Sequence, residues 1–210
     1  MENNALMENL TIHQKFEKSF RARLVKVRYM PPEVVFQPVA KAAADFLSHL
    51  AEPDNYPRPR GFVLYGSTGC GKTTLCRLML SFMRGFLSTQ KQISLKRILY
   101  QNARRIVENF YSDETYLTRL YDDLKRASLI LDDLGAEKPV SRYGYSWGLE
   151  DLIEERYETW ETYHLPTFFT TNIQNPEDML SRYGERAMSR ICGMCNFVQY
   201  HYKDRRIYFQ

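Results

Sequence analysis

The segment Gly66-Ser67-Thr68-Gly69-Cys70-Gly71-Lys72-Thr73 satisfies every fixed position of the pattern G-x-x-x-x-G-K-[ST]. The apolar run Gly61–Tyr65 before it reads as a buried strand, and Lys72–Phe86 after it reads as a helix. That is the setting in which the pattern acquires a mechanism, and no other segment restricts the fold so tightly. Its three glycines permit backbone conformations and a close approach that side chains would block. Successive N–H groups then converge on phosphate oxygens at the positive end of a helix. Lys72 sets a charge against the β- and γ-phosphates, the Thr73 hydroxyl can ligate Mg2+, and Thr74 continues into the helix. Cys70 occupies a position where the pattern accepts many residues.

Strand and helix patterns alternate beyond the loop. Arg97–Tyr100, Ser128–Leu131, Thr167–Thr171 and Asn196–Tyr200 read as strands. Ala103–Phe110, Glu114–Lys125, Trp147–Tyr163 and the pair Pro176–Tyr183 and Glu185–Ile191 read as helices. Such alternation predicts an α/β fold with a mostly parallel sheet and helices on both faces. Upstream, Glu33–Leu50 also has helical apolar spacing. The 210 residues suit one domain with a short appendage, and 44% hydrophobic content excludes disorder as a class. The first ten residues lack a charged segment followed by an apolar core, and apolar runs such as Phe62–Tyr65 fall far short of the ~18–20 residues of a membrane span. Cys70, Cys76, Cys192 and Cys195 are therefore expected as thiols in a cytoplasmic protein with no membrane partner. A net charge of +4 permits a nucleic-acid partner without requiring one.

The strand Ser128–Leu131 ends in Asp132-Asp133. Asp132 is the candidate to hold the Mg2+ shell, and Asp133 to polarise an attacking water. Phe168-Phe169-Thr170-Thr171-Asn172 is a strand ending in an amide, which either orients water against the γ-phosphate or makes a turn. Arg186 and Arg190 lie four residues apart on one helical face. They form either a cation offered to a neighbouring subunit's nucleotide or a solvated basic face. A phosphate loop also serves kinases acting on small molecules, but paired carboxylates before a Thr-Thr-Asn strand fit ATP hydrolysis better. No N-K-x-D guanine signature occurs. A nucleotide-gated scaffold with little turnover is the third reading.

In order along the chain, GSTGCGKT, LILDDLGAEK, TFFTTN and YGERAMSRI resemble the DnaC/IstB branch of AAA+ ATPases, the helicase loaders and transposition helpers, over about residues 36–206. The resemblance implies a P-loop NTPase of the ASCE/AAA+ type, with a five-stranded mostly parallel sheet and a minimal or absent lid. It implies ATP and Mg2+ as cofactors, ATP hydrolysis, and assembly as a homo-oligomer on single- or double-stranded DNA with a helicase or transposase partner. On this reading residues 1–35 are a basic N-terminal arm and residues 36–210 the AAA+ domain. Asn172 takes the sensor-1 position, and Arg190 is the finger acting in trans with Arg186 its rival. Arg206, in Asp204-Arg205-Arg206, matches the sensor-2 segment. Loaders of this branch carry a separate helicase-gripping N-terminal domain, for which only the arm and the helix before Gly61 could stand in. The branch commonly has Asp-Glu where this chain has Asp132-Asp133, a change also found among relatives.

Other signals are weaker. Cys192 and Cys195 have C-x-x-C spacing, but zinc would need two further ligands and only His201 is near in sequence. The arm from Lys15 to Arg28 mixes cations with Phe16 and Phe20, which suits phosphate contact and base stacking. It equally suits a helix whose face of Phe16, Phe20, Leu24 and Val27 packs on the ATPase core. Glu150, Asp151, Glu154, Glu155, Glu158 and Glu161 against Arg156 read as a charged outer face, and Arg142-Tyr143-Gly144-Tyr145 as an exposed loop.

Overall fold

The computed structural model describes residues 11–89, 97–112, 115–138, 140–142 and 145–202. They fall into two compact units. One holds helix α1 (Ile12–Lys26), helix α2 (Glu33–Ala51) and helix α3 (Lys72–Thr89) from Arg77 onward. The other holds the first turn of α3 and every element that follows, together with strand β1 (Gly61–Tyr65).

In the first unit, α1 begins at a capping box. The Thr11 hydroxyl accepts from the Gln14 N–H at 3.3 Å, and the Gln14 side chain accepts from the Thr11 N–H at 3.1 Å. Phe16, Phe20 and Leu24 recur at helical spacing and are buried, whereas Val27 stays exposed. Phe16 meets Phe82 and Phe86 of α3 edge-on, with ring centroids 5.2 and 5.7 Å apart, and Phe20 stacks on Phe36 of α2 at 5.9 Å. Arg21 lies over the Phe36 ring and forks onto Glu33, with N–O distances of 2.7 and 2.8 Å. Lys18, Arg23, Lys26 and Arg28 are exposed.

The second unit is an α/β layer structure. After β1 and the loop come β2 (Arg97–Asn102), α4 (Ala103–Ser112), α5 (Tyr116–Leu124) and β3 (Ala127–Leu134). Then follow β4 (Val140–Arg142), β5 (Tyr145–Trp147), α6 (Leu149–Tyr163), β6 (Thr167–Thr171), α7 (Pro176–Met194) and β7 (Cys195–Gln199). Five strands form a wholly parallel sheet in the order β2-β3-β6-β1-β7. A strand covered on both faces reads as an unbroken apolar run, which is why β1 was legible with these same bounds; β6 keeps its expected bounds although three of its five residues are threonine. Leu129, Leu131 and Phe169 of the sheet pack with Leu152, Ile153 and Ile191 of the helices in one core. At Gly61 the strands approach so closely that a Cβ would lie 1.7 Å from the Thr167 carbonyl oxygen.

Two local features differ from the sequence pattern, and a third follows it. Val140–Arg142 and Tyr145–Trp147 pair antiparallel, so the expected loop is flanked by ladder residues; Tyr143 and Gly144 lie outside the described residues. α7 holds the two expected helices, which meet at a kink at Gly184 (φ 78°, ψ 167°), a conformation nearly confined to glycine. Arg156, expected on a charged outer face, is completely buried. Its Nε donates to Thr167 Oγ1 at 2.9 Å, Nη1 to the Leu124 carbonyl at 2.6 Å and Nη2 to the Leu165 carbonyl at 3.2 Å. Burial pushes its pKa down to about 9, so the three acceptors are what make its charge tolerable. Among the described residues, no helix is long and apolar enough to cross a membrane.

Two outcomes follow. Arg156→Met leaves three buried acceptors unpaired and is expected to cost about 3 kcal/mol, read as a lower urea midpoint; an unchanged midpoint contradicts the role. Hydrogen bonds from Arg21 and Gln37 hold the Glu33 pKa down to about 2, below its unfolded value. The pair therefore stabilises at pH above the ordinary glutamate range and is lost as pH falls toward 2. A carboxyl-carbon NMR titration of Glu33 should show this depressed midpoint, and Arg21→Ala should raise it toward the ordinary range.

Candidate functional site

The loop leaves the sheet at the carboxyl end of β1. Gly66, Gly69 and Gly71 have φ of 140°, 82° and 108°, values that L side chains rarely adopt. A Cβ on Gly66 would also lie 2.4 Å from the Tyr200 carbonyl oxygen, and the Tyr200 N–H donates to the Tyr65 carbonyl at 2.7 Å. The backbone after β7 thus supports the loop from behind. Lys72 is 4% exposed, and its Nζ donates to the carbonyls of Gly66 at 3.0 Å and Ser67 at 2.8 Å. Burial lowers its pKa, against the opposing pull of Cys70, Asp133 and Asp132. Cys70 is buried, with Sγ 3.6 Å from that ammonium, while Thr68 and Thr74 are exposed.

The paired carboxylates sit at a break in the sheet. Leu131 pairs with Phe169 and Leu134 with Thr171, so two residues, Asp132 and Asp133, stand opposite Thr170 alone. This is a β-bulge. In a regular strand consecutive side chains point to opposite faces; here Asp133 adopts φ 59° and the alternation is broken. Thr170 pins the bulge from both sides. Its hydroxyl donates to Asp132 Oδ1 at 2.6 Å and accepts from the Asp133 N–H at 3.0 Å.

Asp132, 1% exposed, gathers two more donors. Thr73 Oγ1 donates to Oδ1 at 2.8 Å, and the Tyr100 hydroxyl donates to Oδ2. The Asn102 amide donates to Asp133 Oδ2 at 3.3 Å. The loop, its threonine and both carboxylates are therefore brought together at one edge. Thr73 Oγ1 and the Asp132 carboxylate are hard oxygen donors, of the kind Mg2+ takes alongside phosphate oxygens.

Asn172 is exposed directly after β6, the strand between β3 and β1. Arg190 is half-buried, its guanidinium 4.5 Å from the centroid of Tyr157, and Arg186 pairs with Glu154 at 2.7 Å. Arg206 lies outside the described residues. Cys195 is buried and donates to the Thr167 carbonyl, burial pushing its thiol pKa up, while Cys192 is exposed. Arg60 donates to the carbonyls of both, at 2.7 Å each.

Tyr100, Asn102 and Thr170 were not singled out from the sequence. Thr170 carried a signal, a polar residue inside a wholly buried strand. Tyr100 and Asn102 depend on register, since Asn102 pairs with Asp132 across β2 and β3.

Loop, bulged strand end and strand order together define a P-loop fold of the AAA+ type. Solved structures narrow the likeness. That of the DnaC helicase loader aligns with a TM-score of 0.58 at 20% identity, over 83% of this chain and 94% of that one. That of DnaI aligns with a TM-score of 0.58 at 22% identity, over 85% and 95%. The ORC1 protein from Aeropyrum pernix, in complex with DNA, aligns at 0.50 with 20% identity, over 75% of this chain and 44% of its own. The fold is thus DnaC-like, as the motif resemblance implied. No family model and no curated protein matches the sequence.

Thr170→Val keeps the shape of the side chain and removes both of its bonds. It is expected to lower unfolding free energy by about 2 kcal/mol, measured by chemical denaturation. Unchanged stability would show that the bulge is held by other contacts.

Proposed function

We propose that this chain is an ATP-binding and ATP-hydrolysing AAA+ protein that assembles as an oligomer on DNA and loads a replication factor. The observation that carries the reading is the 2.8 Å bond from Thr73 to Asp132, with Asp133 next along the bulge. It joins the loop suited to phosphates to the carboxylate suited to a metal.

Gly66 to Thr74 would cradle the phosphates, with Lys72 moving from the loop carbonyls to phosphate oxygens. Thr73 and Asp132 would hold Mg2+, which supplies charge neutralisation on the phosphates. Asp133 takes the proton of the attacking water, and Asn102 orients that carboxylate. Asn172, at the end of the neighbouring strand, aligns the water. Arg190 acts on a neighbouring subunit's nucleotide, with Arg186 its rival. Topology supports that assignment: Arg190 lies just before Cys195, which pairs with Gly61, the end of β1 opposite the phosphate loop. Arg206 keeps the sensor-2 role on the resemblance alone.

Exposed Lys18, Arg23, Lys26 and Arg28 suit contact with DNA phosphates. Likeness to a helicase loader and to a DNA replication initiation factor favours loading of a replication factor over transposition. The test is ATPase rate and particle size, with and without single- and double-stranded DNA. Larger particles with ATP and DNA-stimulated turnover are expected. Asp133→Asn should lower turnover by about 100-fold or more, and Arg190→Ala by about 1,000-fold, with nucleotide affinity retained in both. A monomer transferring phosphate to a small acceptor would overturn the reading.

A further inference from the structure

Glu137 lies four residues beyond Asp133 and is 6% exposed. A buried carboxylate is costly unless its oxygens are satisfied, and both of these are. Oε2 accepts from the Gly135 N–H at 2.8 Å. Oε1 accepts from the Tyr183 hydroxyl at 2.6 Å and from Arg182 Nη2 at 3.1 Å and Nε at 3.3 Å. Arg182 Nη2 also donates to the Glu137 carbonyl.

The turn that carries Glu137 is fastened at its other end to the catalytic edge. The Ala136 N–H donates to the Asp133 carbonyl at 3.0 Å, and Thr171 Oγ1 to the Leu134 carbonyl at 2.6 Å. Gly135 has φ 95°, and the Ile173 side chain fills the place of a Cβ there, its Cδ1 at 2.8 Å from it. Arg182 and Tyr183 are the last residues of α7 before the Gly184 kink; beyond the kink the helix bears Arg186 and Arg190. Displacement of the Asp133 turn therefore pulls on α7 at its hinge, because yielding elsewhere would unpair a buried charge.

We infer that Glu137 is a positioning residue coupling the Asp132–Asp133 bulge to the arginine-bearing half of α7, so that nucleotide occupancy sets where Arg186 and Arg190 stand. The inference rests on the ATPase reading above and adds to it a path from one chain's nucleotide site to the arginines that chain offers to its neighbour's.

Hydrogen exchange on the full chain, with Mg2+ and the imidodiphosphate analogue of ATP, tests it. In the parent protein, peptides over 66–74 and over 185–191 should both gain protection. In Glu137→Gln and in Tyr183→Phe the first gain should persist, while the second shrinks by about tenfold. Turnover should fall about 10–100-fold in both variants with analogue affinity within about twofold, a split that general loosening would not produce. The double variant should be no worse than either single one. If Glu137→Gln fails to fold, Tyr183→Phe decides alone. Protection at 185–191 that survives in the variants, or that never appears in a parent whose loop responds, overturns the coupling. A parent loop that gains no protection overturns the nucleotide reading and the coupling with it.

Discussion

The Asp132 carboxylate accepts three hydroxyl hydrogen bonds, from Thr73, Thr170 and Tyr100. Burying one carboxylate charge costs several kcal/mol unless donors replace its hydration. Those donors come from the first turn of α3, from β6 and from β2, so satisfying the charge fixes three elements relative to β3. The β3–β6 register is part of the same arrangement. Thr170 can serve both Asp132 and the Asp133 N–H only because the bulge sets two residues against one. The positive φ of Asp133 belongs to that geometry, since Asp tolerates the left-handed region better than most residues.

Two other buried charges tie down the layer of helices. Arg156 collects acceptors from the end of α5, the approach to β6 and β6 itself. Glu137 collects donors from its own turn and from α7. One is a cation satisfied largely by carbonyls, the other an anion satisfied by N–H and O–H groups. Neither has a good alternative in an apolar interior, and each limits how its neighbours can move.

What could be read from the sequence follows from which interactions are local. The phosphate loop is legible because its glycines, Lys72 and Thr73 act within one turn of chain. β1 is legible because a parallel strand covered on both faces is apolar throughout, and β6 because it is built only of β-branched and aromatic residues. β3 runs on through Asp132 and Asp133 to Leu134, past the point where the apolar run stops, because the bulge continues the pairing under polar residues. Tyr100, Asn102 and Glu137 act across strand register or through partners more than 30 positions away, which no spacing rule reveals. Arg156 was hidden by its acidic neighbours, whose charges point outward while it points in. The same applies to net charge: +4 averages exposed cations on α1 with an acidic α6.

The Thr73–Asp132 edge and the loop before it are proposed as a binding site for a magnesium-bound nucleoside triphosphate. Calorimetric titration of the full chain with ATP, with and without Mg2+, tests it most directly. One saturable site per chain is expected, bound more tightly with Mg2+ and lost in Lys72→Ala. No binding, or binding that persists unchanged in Lys72→Ala, would contradict it.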